Sequence, residues 1–143
     1  MATRASIKFL DKEGNFIANI YHHYDGYPQY LGVKLLELTG GNMVNGLGGN
    51  MNVLGEHFNG MGCLVASVVA RLKTAPGNVY LYPEKNFGNV GEDYLYEVVE
   101  YDNGDGGRVF ITISDNGGET WEELEFIVCP LYSDSIQSFN KPS

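Results

Sequence analysis

Basic residues are scarce in this chain, with nine Lys and Arg against eighteen Asp and Glu and a formal net charge of −9 over 143 residues. Affinity for a nucleic-acid polymer comes from Lys and Arg displacing condensed counterions, so this balance argues against DNA or RNA as a partner. A small phosphate ligand stays open, because backbone N–H groups and one or two Arg suffice for it. Cysteine is nearly absent: Cys63 and Cys129 lie far apart and form neither a CxxC nor a zinc spacing, which predicts two buried free thiols. No apolar run has the length of a membrane span, and Met1-Ala2-Thr3-Arg4 lacks the apolar region of a signal peptide. A protein of a reducing cytoplasm, without membrane, metal or cofactor, is expected.

Apolar residues at 43% and charged residues at 19% belong to a globular chain. We read one domain over 1–143, with a core over 1–128 and a polar tail over 129–143 that drapes on the body or on a neighbouring subunit. Ala5, Ile7 and Phe9 alternate with Ser6 and Lys8, and Asp11-Lys12-Glu13-Gly14-Asn15 supplies a turn before a second strand from Phe16 to Tyr21. Leu31, Leu35 and Leu38 have helical spacing, with Gly40-Gly41 as the stop. Met61, Leu64, Val65, Val68 and Leu72 mark the main core helix, over Gly60 to Lys73. The 40–62 segment is crowded with Gly and Asn, and reads equally as a binding loop or a connector. It holds His57 but neither a Walker motif nor a dinucleotide fingerprint. Beyond Pro76-Gly77 come four strands, Asn78 to Tyr82, Tyr94 to Tyr101, Arg108 to Ser114 and Trp121 to Val128. The fold class is α+β: a mainly antiparallel β-sheet with two helices packed on one face.

Chemistry concentrates at Tyr21-His22-His23-Tyr24-Asp25-Gly26-Tyr27-Pro28. If extended, this stretch places Tyr21, His23 and Asp25 on one side and His22 and Tyr24 on the other. A carboxylate near an imidazole can set its tautomer and raise its basicity, as a general base or a metal ligand requires. The same residues also serve as a turn and a helix cap, and the two readings are evenly matched.

Thr3-Arg4-Ala5-Ser6-Ile7 followed by Tyr21, His23 and Asp25-Gly26-Tyr27-Pro28 resembles a family of small phage and prophage proteins. That family carries Thr-Arg-Ala near its start and a Tyr-x-His-x-Asp-Gly-Tyr-Pro signature, and has no assigned reaction. Tyr94-Leu95-Tyr96 resembles its second signature, so the likeness runs to about Ile113. His22 stands where family members often carry Arg, a departure that bears on any phosphate-binding role there. Ser114-Asp115-Asn116-Gly117-Gly118-Glu119-Thr120-Trp121 resembles an Asp-box, the hairpin motif of sialidase-type propellers, with Asn116 where the motif prefers Asp. A single copy implies the hairpin and no glycosidase activity.

Three functions follow as expectations. The first is a phage-encoded anti-defence protein that sequesters a nucleotide-derived signalling ligand, cyclic ADP-ribose-like or a cyclic oligonucleotide, without catalysis. Phage anti-Thoeris proteins, which hold cyclic ADP-ribose messengers in assembled oligomers, are similar in size and class, and imply a homo-oligomer. Its ligand-binding residues would be Arg108, Arg71 and Arg4 for phosphate, Phe87 for stacking with Asn89 beside it, and Tyr21, His23 and Asp25 at the junction. The second is an inhibitor that binds a host protein through an acidic face, since thirteen of the eighteen carboxylates fall from Glu84 onward. The third is a hydrolase or phosphoesterase with His23 as base, Asp25 orienting it and His22 assisting; it lacks a nucleophile motif and a metal set.

Overall fold

The computed structural model describes residues 2–49, 51, 53–102, 107–129 and 132–136. Strand β1 (Ala5–Leu10) lies inside the main sheet, antiparallel to β2 (Phe16–His22). The turn between them is closed by Asp11, whose carboxylate accepts from the backbone N–H of Glu13 and Asn15 at 3.0 and 2.8 Å. On its other side β1 runs parallel to β6 (Tyr94–Asp102). Beyond β6 come β7 (Gly107–Ser114) and β8 (Glu122–Leu124), both antiparallel.

Outside β2 lies the edge strand β5 (Val79–Tyr82), again antiparallel. At the opposite end β3 (Asn42–Met43) joins β7 and carries β4 (His57–Phe58) in parallel. The 40–62 segment is therefore tied into the sheet rather than hanging from it. Gly41 has to be glycine there, because a Cβ would stand 2.5 Å from the Glu56 carbonyl oxygen. The result is an α+β fold, an eight-stranded, mostly antiparallel sheet with two helices contacting strands. No helix among the described residues is long and apolar enough to cross a membrane.

The helical elements are a π-helical turn (Pro28–Gly32) leading into α1 (Val33–Leu38), and α2 (Met61–Leu72). Alternation on the strands sends Ala5, Ile7, Phe9, Ile20, Tyr96, Val98, Ile111 and Ile113 to one face, where they pack with Leu31, Leu35, Leu64 and Val68. Each such side chain removed from water contributes about 1.5–3 kcal/mol.

The opposite face is covered in part by the loop 83–93 and by Trp121. Ser6 Oγ donates to Glu92 at 2.6 Å, Asn19 Nδ2 donates to the Pro83 carbonyl, and Phe87 stacks on Trp121. Two expectations need correction. Cys63 is a free thiol but exposed, on the outer side of α2. The strand expected over Trp121 to Val128 is broken at Glu125: β8 ends at Leu124, and β9 (Phe126–Cys129) pairs with β10 (Tyr132–Ile136) in a separate ribbon. That ribbon places part of the expected tail in a strand. Residues 137–143 lie outside the described part.

The Asp-box-like segment forms the hairpin between β7 and β8. Asn116 does the accepting that the motif gives to Asp: its side-chain oxygen takes the Thr120 N–H at 3.0 Å and the Ser114 hydroxyl at 2.8 Å. Trp121 Nε1 closes the turn on the Gly118 carbonyl.

Candidate functional site

β2 ends at His22, and the chain turns sharply immediately after it. His23 N–H donates to the Asn78 carbonyl at 2.9 Å, and Asp25 adopts φ 55°, the left-handed region that Asp tolerates better than most residues. Gly26 then folds back over β1. Its N–H donates to the Thr3 carbonyl at 2.9 Å, and the Tyr96 hydroxyl donates to its carbonyl at 2.7 Å. Burial raises the Tyr96 pKa well above that of a free phenol, which keeps this donor protonated. Thr3-Arg4-Ala5, Asp25-Gly26 and Tyr94-Leu95-Tyr96, distant in sequence, thus meet at one knot.

Because extension stops before Asp25, the expected pairing of His23 with Asp25 does not form. Among the described residues no hydrogen bond or ion pair joins them. His23 is held instead by Tyr21. Arg4 Nε donates to the Tyr21 oxygen at 2.7 Å, and the same oxygen shares a hydrogen bond with His23 Nδ1, 2.8 Å away. The hydrogen bond and charge of Tyr21, assisted by Asp93 and Glu92, raise the Arg4 pKa. Arg4 also donates to the Val90 carbonyl, and Tyr21 stacks on Tyr82 with centroids 5.3 Å apart. This relay is tightly bonded, which is what a structural brace requires.

On the other face of β2 lies a cleft of about 350 Å³, between the junction, the first helical turns and the end of α2. His22 lines it at only 5% exposure, and its Nδ1 has no hydrogen-bond partner. Asn78, on the paired strand end, lines it too. Its Nδ2 donates to the Leu72 carbonyl and to Thr74 Oγ1, while its buried Oδ1 has no partner. An orphaned buried polar atom costs about 1–3 kcal/mol, and Asn19 Oδ1 and His57 Nδ1 are buried without a partner as well.

Burial lowers the His22 pKa, against smaller upward effects from the Tyr24 backbone and the Asp25 charge, so the ring is neutral at pH 7. The Asp25 charge thus acts on His22. Lys34 and Arg71 bring positive charge to the cleft, and Tyr24 and Tyr30, at 52% and 42% exposure, bring aromatic faces. Lys34 Nζ lies 5.8 Å from the Tyr30 ring centroid. Among the described residues no group of three metal-ligating side chains occurs, here or elsewhere.

The remaining expected site residues are dispersed. Arg71 and Asp25 reach the cleft, whereas Arg4, Tyr21 and His23 form the relay on the far side of β2. Arg108 lies elsewhere, donating to the Gly40 carbonyl at 3.2 Å in a hollow with Glu37, Glu56 and His57. Phe87 is already occupied between Trp121 and the Lys8 ammonium, which lies 4.5 Å from its ring centroid. Asn89 Nδ2 closes its own loop on the Lys85 carbonyl. Sequence reasoning passed over Tyr24 and Tyr30 as faces and Lys34 as a cation, and took Asn78 only as the start of a strand. The spacing of Tyr30 and Lys34, four residues apart across helical turns, was the available signal; nothing in the sequence singles out Asn78.

The fold and the cleft define a class, an α+β protein with a polar, part-cationic cleft at the end of a central hairpin. Compared with protein-family models, curated proteins and solved structures, the chain matches none.

Proposed function

We propose that this protein binds and sequesters a small nucleotide-derived signalling ligand in the cleft beside β2, without transforming it. The observation that carries this reading is the cleft of about 350 Å³ that Lys34 and Arg71 line together with Tyr24 and Tyr30. Cations in the cleft match phosphate, and exposed tyrosines match a base or a sugar face. The phage resemblance of the signatures makes the ligand an immune messenger and the setting the host cytoplasm. An assembled oligomer, as in the anti-Thoeris proteins, would belong to the same reading. The hydrolase reading rested on His23 oriented by Asp25, and the Tyr21 bond leaves it without that geometry.

The test is a thermal-shift screen against linear and cyclic nucleotides and ADP-ribose derivatives, with chromatography of any hit. A ligand at a hundredfold its Kd adds about 2.7 kcal/mol, which is roughly 5–10 °C for a chain of this size. Lys34→Ala and Arg71→Ala should each reduce that shift. Recovery of the compound unchanged fits sequestration, a converted compound would make the protein an enzyme, and silence across the panel would sink the reading and direct attention to a host-protein partner.

A further inference from the structure

We infer that the outer edge of β5 is a self-association surface, on which a second copy of this chain adds its own β5 in antiparallel register centred on Leu81. This goes beyond the ligand reading and does not depend on it. β5 is the last strand at its end of the sheet. The bonding pattern shows which of its backbone groups face outward, because residues that exchange hydrogen bonds in an antiparallel pair alternate with residues that do not. The His23 N–H to Asn78 carbonyl bond sets the phase, so in the same register Tyr21 with Tyr80 and Asn19 with Tyr82 are the bonded pairs. Val79 and Leu81 therefore direct their N–H and C=O groups away from β2. Lys73 agrees with this direction, since its ammonium donates to the Val79 carbonyl at 2.9 Å. Among the described residues nothing pairs with the outward backbone groups of Leu81.

Exposed sheet edges usually carry charge, a proline or a covering element. β5 reads Val-Tyr-Leu-Tyr, without a charge, and Leu81 and Tyr80 are 67% and 42% exposed. A symmetric pairing of β5 with itself could centre on Val79, Tyr80 or Leu81. Centred on Val79, it would set Leu81 opposite Gly77, whose φ of 85° is not that of a strand. Centred on Tyr80, it would aim the Leu81 N–H at the Val79 carbonyl, which Lys73 already engages. Centred on Leu81, the two Leu81 residues exchange both bonds, and Val79 faces the partner's Pro83. Pro83 is extended, at φ −63° and ψ 158°. It has no N–H to give, and the acceptor thereby left over is the Val79 carbonyl that Lys73 satisfies.

The side chains agree with that register. The exposed Leu81 pair meets on the face that Ile20 shares, and Tyr80 lies opposite the partner's Tyr82 on the other. Glu84, directly after Pro83, arrives at the end of the edge where the partner's Lys73 sits. This end of the contact is attractive although each chain carries a formal charge of −9.

The experiment is sedimentation equilibrium of the full chain over a concentration series, with hydrogen exchange at the Leu81 amide followed by NMR. The chain should be a dimer whose Leu81 N–H exchanges slowly. Leu81→Lys removes the apolar contact and sets like charges opposite each other, and should weaken association at least about a hundredfold. Its far-UV circular dichroism should stay that of the parent, because the side chain is mostly exposed. Leu47→Lys, at another exposed apolar position, should leave the dimer intact. A dimer that survives Leu81→Lys would overturn the inference. So would a monomer with fast exchange at Leu81, which leaves the edge open to a different protein, and so would a monomer with that amide protected, which means the chain covers its own edge.

Discussion

Gly26→Ala is the most direct test of how the junction is built. A Cβ at this position would lie 2.7 Å from Ala5 Cβ, 3.0 Å from the Thr3 carbonyl oxygen and 3.1 Å from Ala5 N. Carbon atoms normally rest at about 3.5–4.0 Å, so the methyl would intrude by close to 1 Å. Two of the three obstructing atoms are backbone, at and just before the start of β1, and cannot rotate away. The loop must therefore lift, at an overpacking cost of about 1–3 kcal/mol. Lifting also weakens the Gly26 N–H to Thr3 carbonyl bond and the Tyr96 hydroxyl to Gly26 carbonyl bond, each contributing about 0.5–1.5 kcal/mol. The midpoint of thermal unfolding should fall by roughly 5–10 °C, at about 2–4 °C per kcal/mol for a domain this long. Ala5→Gly removes the nearest obstruction, so the double variant should lose less than the sum of the singles, by at least about 0.5 kcal/mol in urea unfolding. An unchanged midpoint in Gly26→Ala, or strict additivity with Ala5→Gly, would refute the packing of this loop on β1.

Two further perturbations test the faces of β2 separately. Tyr21→Phe strips Arg4 Nε and His23 Nδ1 of their shared partner and should cost about 1–3 kcal/mol in urea unfolding, while ligand shifts at the cleft persist. For His22 the sign follows from burial. Its folded pKa lies below the ordinary value of 6.5, so the unfolded chain binds its proton first. The stability this contributes is complete above 6.5 and is lost as pH falls from there through the folded pKa. A stability profile between pH 8 and 5 should slope downward toward acid, and His22→Asn should flatten that slope; an unchanged slope would remove His22 from the buried wall.

Local patterning made much of this fold legible. Period-two alternation at Ala5, Ile7 and Phe9, the Asp11 to Asn15 turn chemistry and the apolar stripe of Leu64, Val65, Val68 and Leu72 each act within a short window, and each formed as read. The Ser114 to Trp121 hairpin was legible for the same reason, with Asn116 substituting for Asp as an acceptor. Long-range pairing was not legible. Nothing in β1 or β6 announces that they lie side by side in parallel, since the link depends on how intervening elements cross the sheet. The β3 and β4 pair is two residues long on each side, too short for any periodicity, and was hidden in Gly-rich sequence. Phe87 read as a free stacking face because its two neighbours, Lys8 and Trp121, come from distant parts of the chain.

The site itself turns on where one strand stops. Alternation continues as far as His22, which sends Tyr21 to the loop-covered face and His22 to the helix-covered face, and then Asp25 breaks it with a left-handed backbone. Had extension continued, Asp25 would have shared a side with His23 and made the pair that a general base needs. The break gives the residues different partners. Tyr21 and His23 are committed to Arg4 in a chain of short hydrogen bonds, leaving little unmet bonding capacity there. His22, one residue away, lines the cleft on the helix-covered face and keeps a buried ring nitrogen without a protein partner. His22 and Asp25 thus line the cleft, while residues 3–5, 21, 23, 26 and 96 hold the junction in shape.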